Sequence, residues 1–226
     1  MIKFISNLKR KHFYSKLIKK NDLCFDIGAN IGTKSKLFLS LGANVIAFEP
    51  QHLCLQSLEK IKQLYKKFEY NQIAIGAENK YDELHLANHI EVATFSNQFI
   101  NFYTSEKIQW KGKEIVTVKT LNSIIAEFGI PNYCKIDTEG FEFNILSSLS
   151  YTIPIIEFEF TEGFFEDTLR IIELLKSNKT QFNLILNENP KFHINKWVSS
   201  EELLKVILNL PRKELHGNIF VKTNVD

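Results

Sequence analysis

The sequence has few cysteines, and their spacing fits neither a metal centre nor a disulfide framework. Its three cysteines, Cys24, Cys54 and Cys134, are an odd and widely spaced set without a C-x-x-C pair. No cluster of His and Cys residues has the spacing of zinc ligands. A free thiol within an apolar segment behaves as a small hydrophobic group. The cysteines therefore indicate a reducing compartment, and we expect a cytoplasmic protein.

Long apolar runs, repeats and Gly/Ser-rich linkers are also missing. No stretch approaches the ~18 apolar residues that would span a bilayer. The apolar pair Phe4-Ile5 ends at Ser6-Asn7, so the N-terminus lacks the apolar core of a signal peptide. A chain of 226 residues with 44% hydrophobic residues suits one domain with a sizeable core.

Acidic residues are absent from the first 20 positions, which hold seven basic side chains, although the net charge of the chain is only +2. We predict a basic amphipathic helical extension over 1–20, ahead of a domain over 21–226. Its apolar side would comprise Phe4, Leu8, Phe13, Leu17 and Ile18. Nucleic-acid binding is disfavoured, because the rest of the chain is net acidic.

Two interpretations of this extension remain open. It is either a packed helix with a solvated charged face, or a segment that contacts an anionic membrane surface or a phosphorylated carrier substrate. The second would make the protein peripheral at the inner face of the membrane. It also predicts that deletion of residues 1–20 leaves the thermal melt nearly unchanged.

A glycine-rich motif, Asp26-Ile27-Gly28-Ala29-Asn30-Ile31-Gly32, directly follows the apolar Leu23-Cys24-Phe25. This order predicts a buried strand, a glycine turn and a helix that begins at Thr33. The next apolar strand ends in Glu49, 23 residues after Asp26. An acidic residue at about this distance is placed to accept hydrogen bonds from a ribose diol. The motif therefore predicts a cofactor that carries a nucleoside.

Asp26 distinguishes between two such cofactors. The dinucleotide fingerprint has a glycine at this position and holds a pyrophosphate at the helix N-terminus. A carboxylate would repel the pyrophosphate but suits S-adenosylmethionine (SAM), which carries an ammonium and a sulfonium and no phosphate. The pattern favours SAM, with a nicotinamide-dependent oxidoreductase as the alternative. A packing role for the glycines alone leaves Asp26 and Glu49 unexplained.

Strands alternate with helices along most of the chain. Strands are predicted over 23–25, 44–48, 68–75, 133–136, 153–160, 181–187 and 217–222, and helices over 33–41, 51–67, 121–128, 142–149, 164–176 and 199–209. Short alternating runs within about 80–119 predict β-hairpins or a loop insertion. We therefore expect an α/β protein of the Rossmann type, with a mostly parallel seven-stranded sheet and helices on both faces.

Four acidic residues, Asp26, Glu49, Asp137 and Glu159, end or nearly end predicted strands. Ligands of open α/β sheets bind at the carboxyl ends of strands, so these side chains should meet at one edge. Like charges repel, and a cationic cofactor offsets that repulsion. For any one of these four residues, a position as a helix cap is the competing explanation.

The segment Lys135-Ile136-Asp137-Thr138-Glu139-Gly140-Phe141-Glu142 follows the same strand-to-helix pattern. Methyl transfer to a hydroxyl is an in-line displacement that often uses a base. We rank the candidate bases Asp137, Glu139, Glu159 and His216, in that order, because crowding by other carboxylates raises a carboxyl pKa towards the operating pH. For Glu142 we prefer a structural explanation, because a negative charge is favourable in the first turn of a helix.

The chain resembles the FkbM family of SAM-dependent methyltransferases. The resemblance rests on residues 25–32, 47–50 and 74–76 and above all on residues 135–142. It implies O-methylation of a hydroxyl, commonly on a sugar of a surface polysaccharide, a lipid-linked glycan or a secondary metabolite. The implied cofactor site comprises Asp26, Gly28, Asn30, Gly32, Thr33, Glu49, Pro50, Ala74 and Asp137.

Two positions depart from the family pattern, since Asn122 and Asn218 stand where relatives usually carry Asp. A charge-dependent role is therefore doubtful at both. No metal is expected to be needed, because no ligand spacing is present, although Asp137 with Glu159 could hold magnesium. A SAM-binding module without activity is the non-enzymatic alternative, which intact Asp26, Glu49, Asp137 and Glu139 disfavour.

Overall fold

The computed structural model describes residues 2–89, 93–105, 107–187 and 189–224, with side chains from Asn7 onward. Phe4, predicted on the apolar side of the first helix, thus lies outside the described side chains. The helices are α1 (Ile2–Tyr14), α2 (Thr33–Ser40), α3 (His52–Leu64), α4 (Asn97–Tyr103), α5 (Leu121–Phe128), α6 (Glu142–Ser147), α7 (Phe165–Leu174) and α8 (Ser200–Leu208). Within these ranges, no helix is both long and apolar enough to cross a membrane.

The strands form two sheets. They are β1 (Leu23–Ile27), β2 (Asn44–Phe48), β3 (Phe68–Asn71), β4 (Ala74–Gly76), β5 (Lys80–Ala87), β6 (Ala93–Thr94), β7 (Trp110–Thr120), β8 (Tyr133–Ile136), β9 (Ile155–Thr161), β10 (Thr180–Leu186) and β11 (His216–Thr223). The main sheet has seven strands in the order β10-β11-β9-β8-β1-β2-β3, and β11 runs antiparallel to both of its neighbours. The predicted fold class is confirmed.

Helices cover both faces of the main sheet, because side chains of its central strands alternate between two hydrophobic clusters. In β2, Val45 and Ala47 join a cluster with residues of α1, α2 and α3, such as Phe13, Phe38 and Leu58. Ile46 and Phe48 join the other cluster, with residues of α5, α6, α7 and α8, such as Ile124, Ile145, Ile171 and Leu203. The carboxyl edge of the sheet therefore lies between two helical layers.

The predicted insertion is a second sheet of four strands in the order β4-β7-β5-β6. Its β5 pairs antiparallel with both β6 and β7, and α4 lies in the connection between β6 and β7. The prediction of one strand over 68–75 is wrong, because the chain leaves the main sheet after Asn71 and Ala74 pairs with Val118 in the second sheet. The short helix α4 was not predicted. Its N-terminus is capped by Ser96, whose Oγ accepts from the Phe99 N–H at 3.1 Å.

The N-terminal segment is packed against the domain. Phe13, Tyr14 and Ile18 are buried, and the Tyr14 hydroxyl donates to Glu157 Oε1 at 2.8 Å. Leu8, predicted on the apolar side, is instead 52% exposed. The helix ends at Tyr14, so it is shorter than the predicted 1–20. These contacts pack the segment against the domain, so we expect its deletion to lower the melting temperature.

We expect Phe13→Ala to lower the free energy of unfolding by about 3–5 kcal/mol, as is usual for a buried Phe. The ring of Phe13 lies 4.9 Å from that of Phe192 and 5.7 Å from that of Phe220, and its loss would leave a cavity. Leu8→Ala on the exposed side of the same helix is the control and should change stability by about 0.5 kcal/mol or less. Chemical denaturation measures both. Equal small effects would mean that α1 contributes little to folding.

Candidate active site

The turn after β1 brings the backbone close to that of the strand beside it. Gly28 has a φ of +73°, and a Cβ at this position would lie 1.8 Å from the carbonyl oxygen of Asp137. Its N–H donates to the carbonyl of Phe48 at 2.9 Å. Only glycine therefore fits where β1, β2 and β8 end together. Gly32 has a different role, since a Cβ there would meet Ile61 Cδ1 at 2.3 Å, which is a packing contact with α3.

A cavity of about 430 Å³ opens at this carboxyl edge, under the second sheet. Its volume is typical of small-molecule sites. Ten of the predicted site residues line it: Asp26, Gly28, Asn30, Thr33, Glu49, Pro50, Ala74, Asp137, Glu139 and Glu159. Two predicted residues, Gly32 and His216, are not among its lining residues. The His216 side chain is 49% exposed, with Nδ1 4.0 Å from Glu159 Oε1.

Glu49 is held rigidly at the end of β2. Its Oε2 accepts from the Asn30 N–H at 2.7 Å, and its Oε1 accepts from the Gln51 N–H at 2.9 Å. Burial raises the pKa of Glu49, and these hydrogen bonds oppose that rise. The Gln51 side chain also donates to this carboxylate. A carboxylate has about four lone-pair sites, so Glu49 is able to accept from a ligand diol as well.

We expect Glu49→Ala to weaken binding of S-adenosylhomocysteine (SAH), the demethylated product of SAM, about tenfold or more. The change removes one or two charge-assisted hydrogen bonds of roughly 1.5–3 kcal/mol each. Calorimetry on folded protein measures the effect, with the exposed Glu59→Ala on α3 as the charge-matched control. Unchanged SAH affinity in Glu49→Ala would remove Glu49 from the site.

Asp26 presents a buried acceptor to the same region. The Ser35 hydroxyl donates to its Oδ2 at 2.6 Å, whereas its Oδ1 is buried without a hydrogen-bond partner among the described residues. Burial raises the pKa of Asp26, although Lys135 and Ser35 act in the opposite direction. A buried acceptor normally has a partner, so the Oδ1 atom fits a ligand that brings a cationic donor. This agrees with the cofactor predicted from the sequence.

Three carboxylates, those of Asp137, Glu139 and Glu159, cluster beside the Gly28 turn. Each offers an oxygen, and these oxygens lie within 4.8 Å of one another. Lys135 is buried beneath them and forms an ion pair with Asp137 Oδ2. Burial favours the neutral form of this lysine, but Asp137, Asp26 and Glu157 together raise its pKa. The cluster thus combines one fixed cation with several anions.

The pKa values of two clustered carboxyls shift in opposite directions. Burial acts to raise the pKa of Asp137, but the adjacent Lys135 outweighs it and the pKa is lowered. The expectation that crowding raises the pKa of Asp137 is therefore wrong. Burial and the charges of Asp137, Glu139 and Glu142 raise the pKa of Glu159 well above its usual range. Glu159 is thus the member of this pair closer to the operating pH of a base.

The loop that carries Glu139 is strained and is tied to the second sheet. Glu139 has a φ of +55°, which side chains other than Asn and Asp seldom adopt. The Thr94 hydroxyl of β6 donates to the Glu139 carbonyl at 2.8 Å. Backbone strain of this kind clusters at functional sites. The insertion therefore fixes the loop that places Glu139 in the cavity wall.

Glu142, Asn122 and Asn218 have structural roles. Glu142 Oε1 accepts from the backbone N–H and the hydroxyl of Thr138 at 2.7 and 3.0 Å, as a residue in the first turn of α6. Asn218 Nδ2 donates to the buried Glu157 Oε1 at 2.7 Å. Asn122 Nδ2 donates to the Ser148 carbonyl at 2.6 Å, and its Oδ1 accepts from the Ser150 N–H at 3.0 Å. Aspartate could not donate at either asparagine position.

Sequence reasoning missed several side chains of the cavity wall. One of them is Lys135, and a lysine in an otherwise apolar strand is a signal that could have identified it. Arg10 and Lys34 reach the cavity from α1 and α2, which only the packing of these helices reveals. The aromatic residues Phe95 and Phe141 also line it, with ring centroids 5.3 Å apart.

Solved methyltransferases have a similar fold. Precorrin-6Y C5,15-methyltransferase from Geobacter metallireducens is 11% identical, with a TM-score of 0.51 over 96% of this chain and 87% of its own. An rRNA methylase from Streptococcus thermophilus is 11% identical, with a TM-score of 0.44 over 95% and 94%. A protein from Streptococcus mutans, solved in complex with SAH, is 15% identical, with a TM-score of 0.45 over 95% of both chains. The Geobacter enzyme supports the fold alone, because its sequence is only 11% identical to this chain.

Sequence comparison gives the family. No curated protein sequence matches the chain. The family model described as the methyltransferase FkbM domain matches residues 26–183, which is well over half of the chain and runs from Asp26 through the acidic cluster. The match contains residues 47–50, 74–76 and 135–142 and all but the first residue of 25–32, the four segments on which the resemblance rests. The cofactor is SAM, and the chain belongs to the FkbM family of SAM-dependent methyltransferases.

Proposed function

We propose that this methyltransferase transfers the methyl group of SAM to a hydroxyl of a sugar in a surface polysaccharide, glycolipid or related glycan. The observation that carries the proposal is the acidic cluster of Asp137, Glu139 and Glu159 in the wall of the cavity that fits SAM. A hydroxyl is a weak nucleophile and gains from a nearby carboxylate, whereas the chemistry of the cluster suits neither an anionic acceptor atom nor a pyrophosphate.

Different residues of the cavity would bind the adenosine part and the amino-acid part of SAM. Glu49 would accept from the ribose diol, while Pro50 and Ala74 would border the adenosine half. Asp26 Oδ1 would accept a hydrogen bond from the ammonium of SAM. Gly28, which has no side chain, leaves room for the part of SAM that joins the ammonium to the adenosine half. When bound, SAM supplies a methyl group on a positively charged sulfur. Asp137 would hold that charge and orient the acceptor, because Lys135 keeps its carboxylate ionised.

Glu159 is the residue that we propose as the base. Its raised pKa makes it a better proton acceptor than Asp137, whose ion pair with Lys135 weakens its basicity. Glu139 belongs to the same cluster. His216 remains the outermost candidate, at 4.0 Å from Glu159 Oε1. The activity should therefore rise with pH through the pKa of Glu159, because only its ionised form accepts the hydroxyl proton.

The second sheet supports a sugar acceptor. Phe95 presents an aromatic ring to the cavity, and such rings stack on the apolar faces of sugars as well as on adenine. The Thr94 bond to the Glu139 carbonyl links this sheet to the acidic cluster.

Mass spectrometry of surface glycans tests the proposal. Cells that contain the protein should carry O-methylated sugars that are absent when Asp137→Asn and Glu159→Gln replace the wild type together. A glycan profile that is unchanged by this variant would contradict a sugar acceptor. The nicotinamide-dependent oxidoreductase is set aside, because the cofactor of the family is SAM. Calorimetry addresses the non-enzymatic alternative: SAM binding with no product across glycan fractions would favour a non-catalytic module.

We expect methyl transfer to need no metal ion. Lys135 already supplies a fixed positive charge to the acidic cluster, and the sulfonium is itself an electrophile. Treatment with EDTA should leave turnover unchanged, and added magnesium or manganese should not raise it. Loss of turnover on chelation, restored by either cation, would instead make Asp137, Glu139 and Glu159 a metal site.

A further inference from the structure

A second cavity of about 440 Å³ lies beside the first, between α1 and α2. We call it the basic groove; its lining residues are Asn7, Leu8, Arg10, Lys11, Thr33, Lys34, Lys36, Leu37 and Ser40. Four of these side chains are cationic, and none of the lining residues in the described part of the chain is acidic. Arg10, Thr33 and Lys34 line both cavities, so the groove joins the SAM site directly.

The floor of the groove is ordered by neighbouring aromatic residues. Lys34 Nζ donates to the Tyr14 hydroxyl at 3.1 Å, and the same ammonium lies 5.3 Å from the centre of the Tyr14 ring. Tyr14 is in turn held by Glu157. Lys34 and Arg10 are half-buried, whereas Lys11 and Lys36 are exposed at the rim. The floor is therefore preorganised, and the rim is open to a ligand.

The start of α2 adds further positive potential. Its N-cap residue Gly32 has no side chain to cap the helix, so the first N–H groups of α2 are available near Thr33. The N-terminal end of a helix attracts anions because its dipole is positive there. The four cations and the helix end together favour a ligand with more than one negative charge.

The carboxylate of SAM alone does not account for this arrangement. It carries one negative charge and would lie in the SAM cavity, within reach of the Arg10 and Lys34 side chains that line it. Lys11 and Lys36 line the groove and not the SAM cavity. These two lysines therefore point to an anionic group outside the cofactor.

We propose that the basic groove binds the diphosphate of a sugar–diphosphate acceptor, which places the sugar at the SAM cavity. This inference rests on the proposed function, since it specifies which form of sugar the same site takes. The diphosphate has two sources, a soluble nucleoside diphosphate sugar and a polyprenyl diphosphate sugar in a membrane. Both present the same two phosphates to the lysines and to Arg10.

Calorimetry with inorganic pyrophosphate tests the groove without requiring methyl transfer. Pyrophosphate should bind saturably to SAH-saturated wild-type protein, and Lys11→Gln with Lys36→Gln should weaken it roughly tenfold, about 1.4 kcal/mol. The control pair Lys60→Gln with Lys66→Gln removes the same charge from exposed positions outside both cavities and should leave the affinity within about twofold. SAH affinity should be the same in all three proteins.

Three results would overturn the proposal. The first is the absence of saturable pyrophosphate binding, and the second is an equal loss of pyrophosphate affinity in the control pair. The third is a loss of SAH affinity in the Lys11 and Lys36 variant, which would assign the groove to the cofactor. Competition then distinguishes the sources of the diphosphate. Displacement of pyrophosphate by uridine diphosphate glucose, or by phosphatidylcholine vesicles containing a polyprenyl diphosphate, supports the proposal in either form, and displacement by neither contradicts it.

Discussion

Glu159→Gln is expected to lower kcat by about 10²–10⁴ while SAM still binds, because the substitution removes the proposed proton acceptor and keeps its shape. The rise of kcat with pH that the ionisation of Glu159 produces should disappear in the variant. Turnover with saturating SAM, measured across a range of pH, reports both effects. Asp137→Asn should instead weaken SAM binding together with turnover, because Asp137 is the carboxylate that Lys135 keeps ionised.

Glu162→Gln is the matched control, since this exposed glutamate follows β9 closely and does not line the cavity. Its turnover should equal that of the wild type. If Glu159→Gln and Asp137→Asn both retained near-normal turnover with a competent acceptor, no carboxylate of this pair would act as the base. Glu139, the third carboxylate of the cluster, His216 or proximity alone would then account for catalysis.

Lys135→Met should strongly lower the stability of the fold. The lysine is buried and interacts with Asp137, Asp26 and Glu157, and removal of one partner from a buried ion pair costs about 3–5 kcal/mol. For a chain of this size the melting temperature should fall by roughly 6–20 °C. Differential scanning calorimetry measures the change. SAM should then stabilise the variant more than SAH does, because the sulfonium partly replaces the lost positive charge.

Lys119→Met serves as the control for this loss of charge. Lys119 pairs with Glu127 at 3.0 Å on the surface, and an exposed pair of this kind contributes about 1 kcal/mol or less. A melting temperature of Lys135→Met close to that of Lys119→Met would mean that the acidic cluster is stable without its buried cation.

Much of the main sheet could be predicted from the sequence, because its strands are short apolar segments that end at distinctive residues. The predicted strand 44–48 and helix 121–128 have the observed bounds, and the turn after β1 follows from the glycine motif. The break between β3 and β4 could not be predicted, since no glycine or proline interrupts residues 68–75. Only the pairing of Ala74 with Val118 shows that the chain changes sheet there.

The composition of the site was predictable where strand ends carry acidic residues. Asp26, Glu49, Asp137 and Glu159 meet at one edge because parallel strands bring their carboxyl ends together. The electrostatics were not predictable, because the pKa of Asp137 depends on Lys135, whose side chain could have pointed to either face of the sheet. Arg10 enters the site only through the docking of α1, which hydrophobic spacing along the chain does not specify.

Transfer of an isotopically labelled methyl group tests the central claim most directly. The purified protein would be incubated with methyl-labelled SAM and with glycan fractions and sugar diphosphates from the cells that contain it, and the label located by NMR spectroscopy. We predict that the label appears on a sugar oxygen with formation of an equal amount of SAH, and that the Glu159→Gln protein forms little of either. Label on a nitrogen or carbon atom, or no transfer by protein that binds SAM in calorimetry, would contradict the proposed O-methylation of a sugar.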